Sequence, residues 1–287
     1  EGGRGEGGTR GQGDKGTRGQ GDALPPVPPS SLLRVALLLA LALRLWQLGG
    51  AEFQGDEARA MLLAAGVAQG VDGALLTHTK GPVEALLPAI PVVAGTGVEW
   101  AARLPFALAS LGVLAGVVAL LRGGGAVAAV ALLAVDGFAI AFGRIVQYQS
   151  VVMLAMLGAL WCCWRFHCGA AHPRRLLVAA AVLLAVGLLA HYDAALVAPA
   201  LAWLVIAGGR RRGWGARSWM VELGLPTLVG AALLASFFLP YVLGPSFAAT
   251  ADYLAGRAGE GDAGGPPFNN LPIYLHILSF YNAPPLV

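Results

Sequence analysis

Lysine is almost missing from this chain: of its 19 basic residues only Lys15 and Lys80 are lysine. Charge of either sign is scarce, at 12% of 287 residues, about half the roughly 25% of a soluble globular domain. An ordinary water-soluble domain is thereby excluded. The net charge is only +3, and the arginines sit at the ends of apolar runs, where orientation signals belong, so no basic nucleic-acid surface is present. Cysteine is equally sparse. Cys162, Cys163 and Cys168 lie together near one run end; neighbours in sequence are poor disulfide partners, and no CxxC pair accompanies a distant histidine pair. A disulfide scaffold and a zinc ribbon are excluded, and the thiols read as small apolar packing groups. No self-similarity at solenoid periods is visible.

What the chain does have is apolar length. It is 57% hydrophobic, with a mean hydropathy of +0.68, and the apolar residues fall in runs of about 17–25, the length that crosses a hydrocarbon core roughly 30 Å thick. Those runs cover about 31–48, 82–98, 103–121, 125–142, 147–166, 176–190, 194–208 and 220–243, about eight membrane segments by that length criterion. The expected class is an all-α polytopic membrane protein. Residues 1–30 read as a disordered Gly-rich leader with a Pro-rich hinge, LPPVPPS, and residues 31–287 as the membrane-embedded core. The leader has no apolar stretch of a signal peptide. A further apolar segment begins near Leu271, and the chain is expected to be truncated inside it.

Two polar stretches interrupt the runs, 49–80 and 244–272, and both read as external loops. The basic loops at His172-Pro173-Arg174-Arg175 and Arg210-Arg211-Arg212 are expected on the cytoplasmic side. Counting spans back puts Arg122 inside and Arg144 outside. With 49–80 external, an even number of crossings must separate it from Arg144, yet three runs intervene. The Pro-interrupted run 82–98 is therefore expected not to cross fully.

Charges near a bilayer are costly, by roughly 2.5–3.5 kcal/mol each on insertion scales, so their positions are informative. Asp56 and Glu57 open a helix-forming stretch in the first loop, where Asp56 serves equally as a helix cap and as a reactive carboxylate. Lys80, in Thr77-His78-Thr79-Lys80-Gly81-Pro82, stands at the mouth of the next run; it can snorkel, or act as a point charge for a phosphate. His78 is a candidate metal or phosphate ligand. Arg103 and Arg144 adjoin long runs, and Arg144 precedes the polar patch Gln147-Tyr148-Gln149. That patch suits interfacial anchoring or contact with an anionic head group or sugar. Asp136, inside a run, is expected to cap or pair internally.

The order of these features is one span, a loop opening on Asp-Glu, a short helix, Lys-Gly-Pro, Ala-Arg-Leu-Pro, and a Gly-Arg segment. Over about residues 45–200 it resembles the polyprenyl-phosphate-sugar-dependent glycosyltransferases of the protein mannosyltransferase and aminoarabinose transferase type. The resemblance implies a GT-C helical bundle in the plasma (inner) membrane with its active site on the extracytoplasmic face. It implies a polyprenyl-phosphate sugar donor drawn from among the membrane lipids, and as acceptor a protein or glycolipid hydroxyl of the cell envelope. By resemblance Asp56 matches the first-loop carboxylate that acts as base or metal-linked acid, Glu57 its neighbour, and Lys80 the lysine that holds the donor phosphate. Arg144, with Tyr148, Gln149, His78 and Arg103, would complete the substrate site. Relatives carry a second acid where Gln149 stands, so a divalent metal, with Asp56 and His78 as the ligands named, is left open and no other cofactor is implied. A transporter or flippase, or a non-catalytic binder of lipid-linked sugar, is the alternative class. The charges lie at one surface and the Asp-Glu…Lys-Gly-Pro series has no second copy, which favours the enzyme.

Overall fold

A computed structural model describes residues 31–77, 81–96, 98–121 and 123–259, with side chains as far as Asp252. Every regular element among them is helical: α1 (Ser31–Leu45), α2 (Asp56–Ala68), α3 (Val83–Val93), α4 (Glu99–Leu120), α5 (Gly123–Val135), α6 (Gly137–Gly143), α7 (Gln149–His167), α8 (Pro173–Ala190), α9 (Ala198–Arg211), α10 (Ala216–Leu243) and α11 (Ser246–Gly259). Short 3₁₀ turns at Ala74–Thr77 and Tyr192–Val197 complete the set. The polytopic all-helical expectation holds.

The number of spans is lower than the sequence suggested. Among the described residues five helices are long and apolar enough to cross a membrane, or six when α5 and α6 count as one bent span. Two of the expected runs come out short. α1 has 15 helical residues, roughly 22 Å at 1.5 Å per residue. α3 has 11 and carries Pro88 and Pro91. Both ends of α3 lie at one end of the bundle: Gly81, ahead of it, abuts the carbonyl of Leu189, and Trp100, beyond it, abuts Gly49. The segment 82–98 therefore begins and ends at the same end of the bundle, the arrangement that an incomplete crossing requires.

The run 125–142 also differs from expectation, because it breaks at Asp136 with a bend of 67°. Asp136 caps α6 by accepting a hydrogen bond from Ala139 N at 2.6 Å, and the carbonyls that α5 leaves open are met by Arg44. This arginine, 1% exposed, donates to the carbonyls of Leu133 (2.9 Å) and Ala134 (3.4 Å) and through Nε to Ser110 Oγ (2.8 Å). A buried cation thus satisfies one helix end and an aspartate the other.

Helices approach through small residues, as expected where lipid offers no hydrophobic drive to associate. Gly112 and Gly116 of α4 receive Leu154 and Leu157 of α7. Cys162 and Cys163 are buried in the core shared by α7, α8 and α9, whereas Cys168 is exposed, a correction to the view of all three as packing groups. The stretch 244–272 is not a plain loop: Ser246–Gly259 forms α11, anchored where Tyr241 Oη meets Thr250 Oγ1 at 2.6 Å. Residues 1–30 and the segment after Leu271 lie outside the described residues.

Candidate functional site

The first polar loop is held to the bundle by one ion pair. Arg103, near the start of α4, donates through Nε and Nη2 to the two carboxylate oxygens of Glu57, each at 2.9 Å. Its remaining hydrogens go to the carbonyls of Leu48 (3.1 Å), Ala51 (2.8 Å) and Glu52 (3.2 Å). All five guanidinium donors are thereby used. Glu57 Oε1 also accepts from Val146 N at 2.8 Å, and the ring of Phe53 covers the guanidinium at 5.1 Å. The pair is nearly closed to solvent, at 5% and 7% side-chain exposure. Glu57 and Arg103 therefore tie together the α1–α2 connection, α2, α4 and the 144–148 segment. They sit beneath the site and position it.

Asp56 is one residue away and exposed. It is the first residue of α2 and not its cap; that place belongs to Gly55, whose φ of 54° is in the left-handed region. Its charge still suits the positive first turn of α2. Across the site Gln147 Nε2 reaches Asp56 Oδ2 at 3.5 Å. The mate of Asp56 in sequence is thus buried in the scaffold, while Asp56 itself faces outward from a fixed base.

Arg144 closes the neighbouring edge. Its Nη1 donates to Leu43 O (2.9 Å) and its Nη2 to Trp46 O (2.6 Å) and Gln47 O (3.2 Å), so it covers the carbonyl end of α1, where a cation is favoured. Gly143 before it has no room for a side chain, because a Cβ there would lie 2.4 Å from Ser110 Oγ.

Around Tyr148 the site acquires His191, Tyr192, Asp193 and Glu84, to which sequence reasoning gave no role. Tyr148 stacks on His191 with ring centroids 3.8 Å apart and planes within 4°, and His191 in turn meets Tyr192 at 3.8 Å. His191 Nδ1 accepts from Asp193 N at 3.2 Å and lies 3.0 Å from Asp193 Oδ2. The two contacts belong to different protonation states: a neutral ring accepts from the amide, and a protonated ring pairs with the carboxylate. Glu84, at the first turn of α3, is 1% exposed. Burial pushes the Tyr148 hydroxyl up to about 12, and the carboxylates of Asp193, Glu84 and Asp56 add to the effect. Tyr148 therefore stays a hydrogen-bond donor at any physiological pH. Gln149 begins α7, with its side-chain carbonyl buried and unpaired among the described residues.

Gly81 explains why the chain needs glycine between Lys80 and Pro82. A Cβ there would come within 1.9 Å of the Leu189 carbonyl, so the backbone of residue 81 rests directly on the C-terminal end of α8, two residues before His191. His78 and Lys80 themselves lie outside the described residues. Among the described residues no three His, Cys, Asp or Glu side chains converge as metal ligands would.

The site therefore joins a surface carboxylate on a rigid base, a Tyr148–His191 stack with Tyr192 tilted against it and Asp193 beside it, and the Gly81-Pro82 turn. All of these stand at one end of the bundle. The arginines Arg174, Arg175, Arg210 and Arg211 stand at the other.

A profile of the dolichyl-phosphate-mannose-protein mannosyltransferase family matches residues 79–243. That range takes in Gly81, Glu84, Arg103, Arg144, Tyr148, Gln149, His191 and Asp193, and it begins after Asp56 and Glu57. No curated protein and no solved structure matches the chain.

Proposed function

Since the chain belongs to the dolichyl-phosphate-mannose-protein mannosyltransferase family, and so is a glycosyltransferase embedded in the membrane, we propose that it moves a sugar from a polyprenyl-phosphate donor to an acceptor hydroxyl at the Asp56 end of the bundle. That end faces away from the cytoplasm. The arginine-rich turns at the opposite end support this orientation.

In this reading Asp56 takes the proton of the acceptor hydroxyl as its oxygen bonds to the anomeric carbon of the sugar. The bond from that carbon to the phosphate oxygen breaks, with inversion, and the electron pair leaves with the polyprenyl phosphate. Lys80, with Arg144, supplies positive charge to the departing phosphate. Among the described residues Arg144 keeps Nε and one Nη1 hydrogen beyond those that cap α1. The seat of Gly81 on the end of α8, two residues before His191, supports a role for the residues that adjoin it in sequence. Tyr148, a donor that does not ionise, is suited to a sugar hydroxyl or a phosphate oxygen. A lipid-linked donor enters sideways from the bilayer, so a site at the end of the spans is where it can be met. Glu57 and Arg103 act through Asp56 and the 144–148 segment as positioning residues.

The observation that carries the proposal is the exposed Asp56 on a scaffold locked by Glu57 and Arg103, at the end of the bundle where the family-matched polar segments gather. The test uses the purified full-length protein in detergent with a panel of polyprenyl-phosphate sugars, following free polyprenyl phosphate by mass spectrometry. Release by wild type that collapses in Asp56→Asn is the expected result. Donor binding with no release from any donor would overturn it and favour the binder or transporter reading.

A further inference from the structure

The end of the bundle opposite Asp56 carries a second feature, unconnected with transfer. Arg174 and Arg175 open α8, Arg210–Arg212 close α9 and Arg217 opens α10, and among the described residues a single carboxylate, Glu222, accompanies them. Orientation bias accounts for arginines in these turns. It does not account for the groove that two of them border. Between the start of α8 and α10 lies a groove of about 710 Å³, within the roughly 300–1,000 Å³ of small-molecule sites. Its mouth is His172, Arg174 and Arg175, and its floor is apolar, with Val178, Ala179 and Leu225.

The charges at the mouth are set for an anion. Arg174 is pinned across the groove, its Nε 3.3 Å from Glu222 Oε2 and its Nη2 3.4 Å from Val221 O, so the only carboxylate there is already paired. Arg175 is exposed and has no ion pair or hydrogen bond among the described residues. The first turn of α8 has Pro173 at its start, no acidic residue and no side-chain cap, which leaves its positive end open.

We propose that this groove holds one anionic phospholipid of the surrounding leaflet, with its phosphate at Arg175 and the first turn of α8 and its acyl chains along Val178, Ala179 and Leu225. A basic mouth over an apolar floor, at the depth where a spanning helix leaves the membrane, matches the two parts of that molecule. A free phosphate would leave the apolar floor unused, and a zwitterionic lipid would bring its own cation to Arg175.

The proposal is independent of the transferase reading and is tested without turnover. Full-length protein is delipidated, mixed with phosphatidylglycerol or phosphatidylcholine, and examined by native mass spectrometry. One phosphatidylglycerol should survive activation on the wild type, while phosphatidylcholine should not. Arg175→Gln, at an exposed position, should lower that retention about tenfold, and Leu225→Trp, which fills the floor without changing charge, should do the same. Arg211→Gln, which removes an equal charge from the same end, should leave retention unchanged. Equal loss in Arg211→Gln would reduce the effect to diffuse attraction and overturn the site, as would equal retention of the two lipids or full retention in Arg175→Gln.

Discussion

Glu57→Gln separates the scaffold from the chemistry more sharply than any change at the surface. The carboxylate accepts three hydrogen bonds: two from Arg103, at 2.9 Å each, and one from Val146 N, at 2.8 Å. Glutamine keeps one acceptor oxygen, which can retain Arg103 Nε and Val146 N. Its amide nitrogen then faces Arg103 Nη2, donor against donor, and the guanidinium is left at a site of 5–7% exposure without a counter-ion. Removing one partner of a buried pair costs about 3–5 kcal/mol. The carbonyls of Leu48, Ala51 and Glu52 still solvate the cation, so the low end, about 3 kcal/mol, is expected here. Denaturant unfolding in mixed micelles, followed by helical circular dichroism, measures it. Asp56→Asn, one residue away but exposed, is the internal control and should stay within about 0.5 kcal/mol of wild type. The neighbours should thus split, with Glu57→Gln unstable and Asp56→Asn stable but inactive. A Glu57→Gln protein as stable as wild type would refute the clamp.

Four further outcomes follow from particular contacts. Gly81→Ala places a Cβ 1.9 Å from the Leu189 carbonyl, backbone against backbone; a cost of about 1–3 kcal/mol in thermal unfolding is expected, with loss of donor turnover, and normal turnover would sink the assigned seat. Asp136→Ala removes the 2.6 Å cap on Ala139 N and should cost about 1 kcal/mol by the same measurement. In an alkaline difference titration of wild type against Tyr148→Phe, one phenol should ionise near 12 and not near 10. Because the folded value is raised, the stability this phenol contributes is complete below pH 10 and is lost as pH climbs through about 12, a loss softened by its partial exposure. In a background with Cys168 replaced, Thr96→Cys should be labelled by a membrane-impermeant maleimide from the same side as Asp56→Cys and the opposite side from Arg211→Cys; labelling with Arg211→Cys would mean that α3 crosses.

Length and apolarity made most of the helices legible, because a span advertises itself by roughly 20 residues without charge. The breaks were legible only in part. The parity of the basic loops and the prolines at 88 and 91 pointed to 82–98 as a run that does not cross fully. The break at Asp136 was not foreseen, since nothing in the run 125–142 shows that Arg44, 89 residues before Leu133, supplies the cation for the end of α5. Long-range partners of this kind leave no local trace. The same holds for the site. The sequence set Asp56 apart as the reactive carboxylate with Glu57 as its neighbour in the substrate site, and only the position of Arg103 shows that Glu57 is a buried anchor. Nothing local marks His191, because its significance lies in the ring of Tyr148, 43 positions earlier and 3.8 Å away.

The return of the 82–98 segment to the end of the bundle where it begins is what makes the other observations consistent. A full span there would carry Trp100 to the opposite end of the bundle, and Arg103, three residues on, could not reach Glu57. Gly49 beside Trp100 and Gly81 on Leu189 hold the two ends of the segment at one level, so α2 and α3 form a shelf between α4 and α8 in place of a membrane crossing. Such a shelf is rigid where it meets Arg103 and open where Asp56 faces outward. A donor that diffuses in the bilayer needs both properties: a lateral approach at the level of its phosphate, and a carboxylate whose position does not change when it arrives. A span in place of the shelf would close that approach, and a flexible loop would release the carboxylate. The close approaches of Gly81 to the Leu189 carbonyl and of Gly49 to Trp100 are therefore what hold α3 at that end of the bundle.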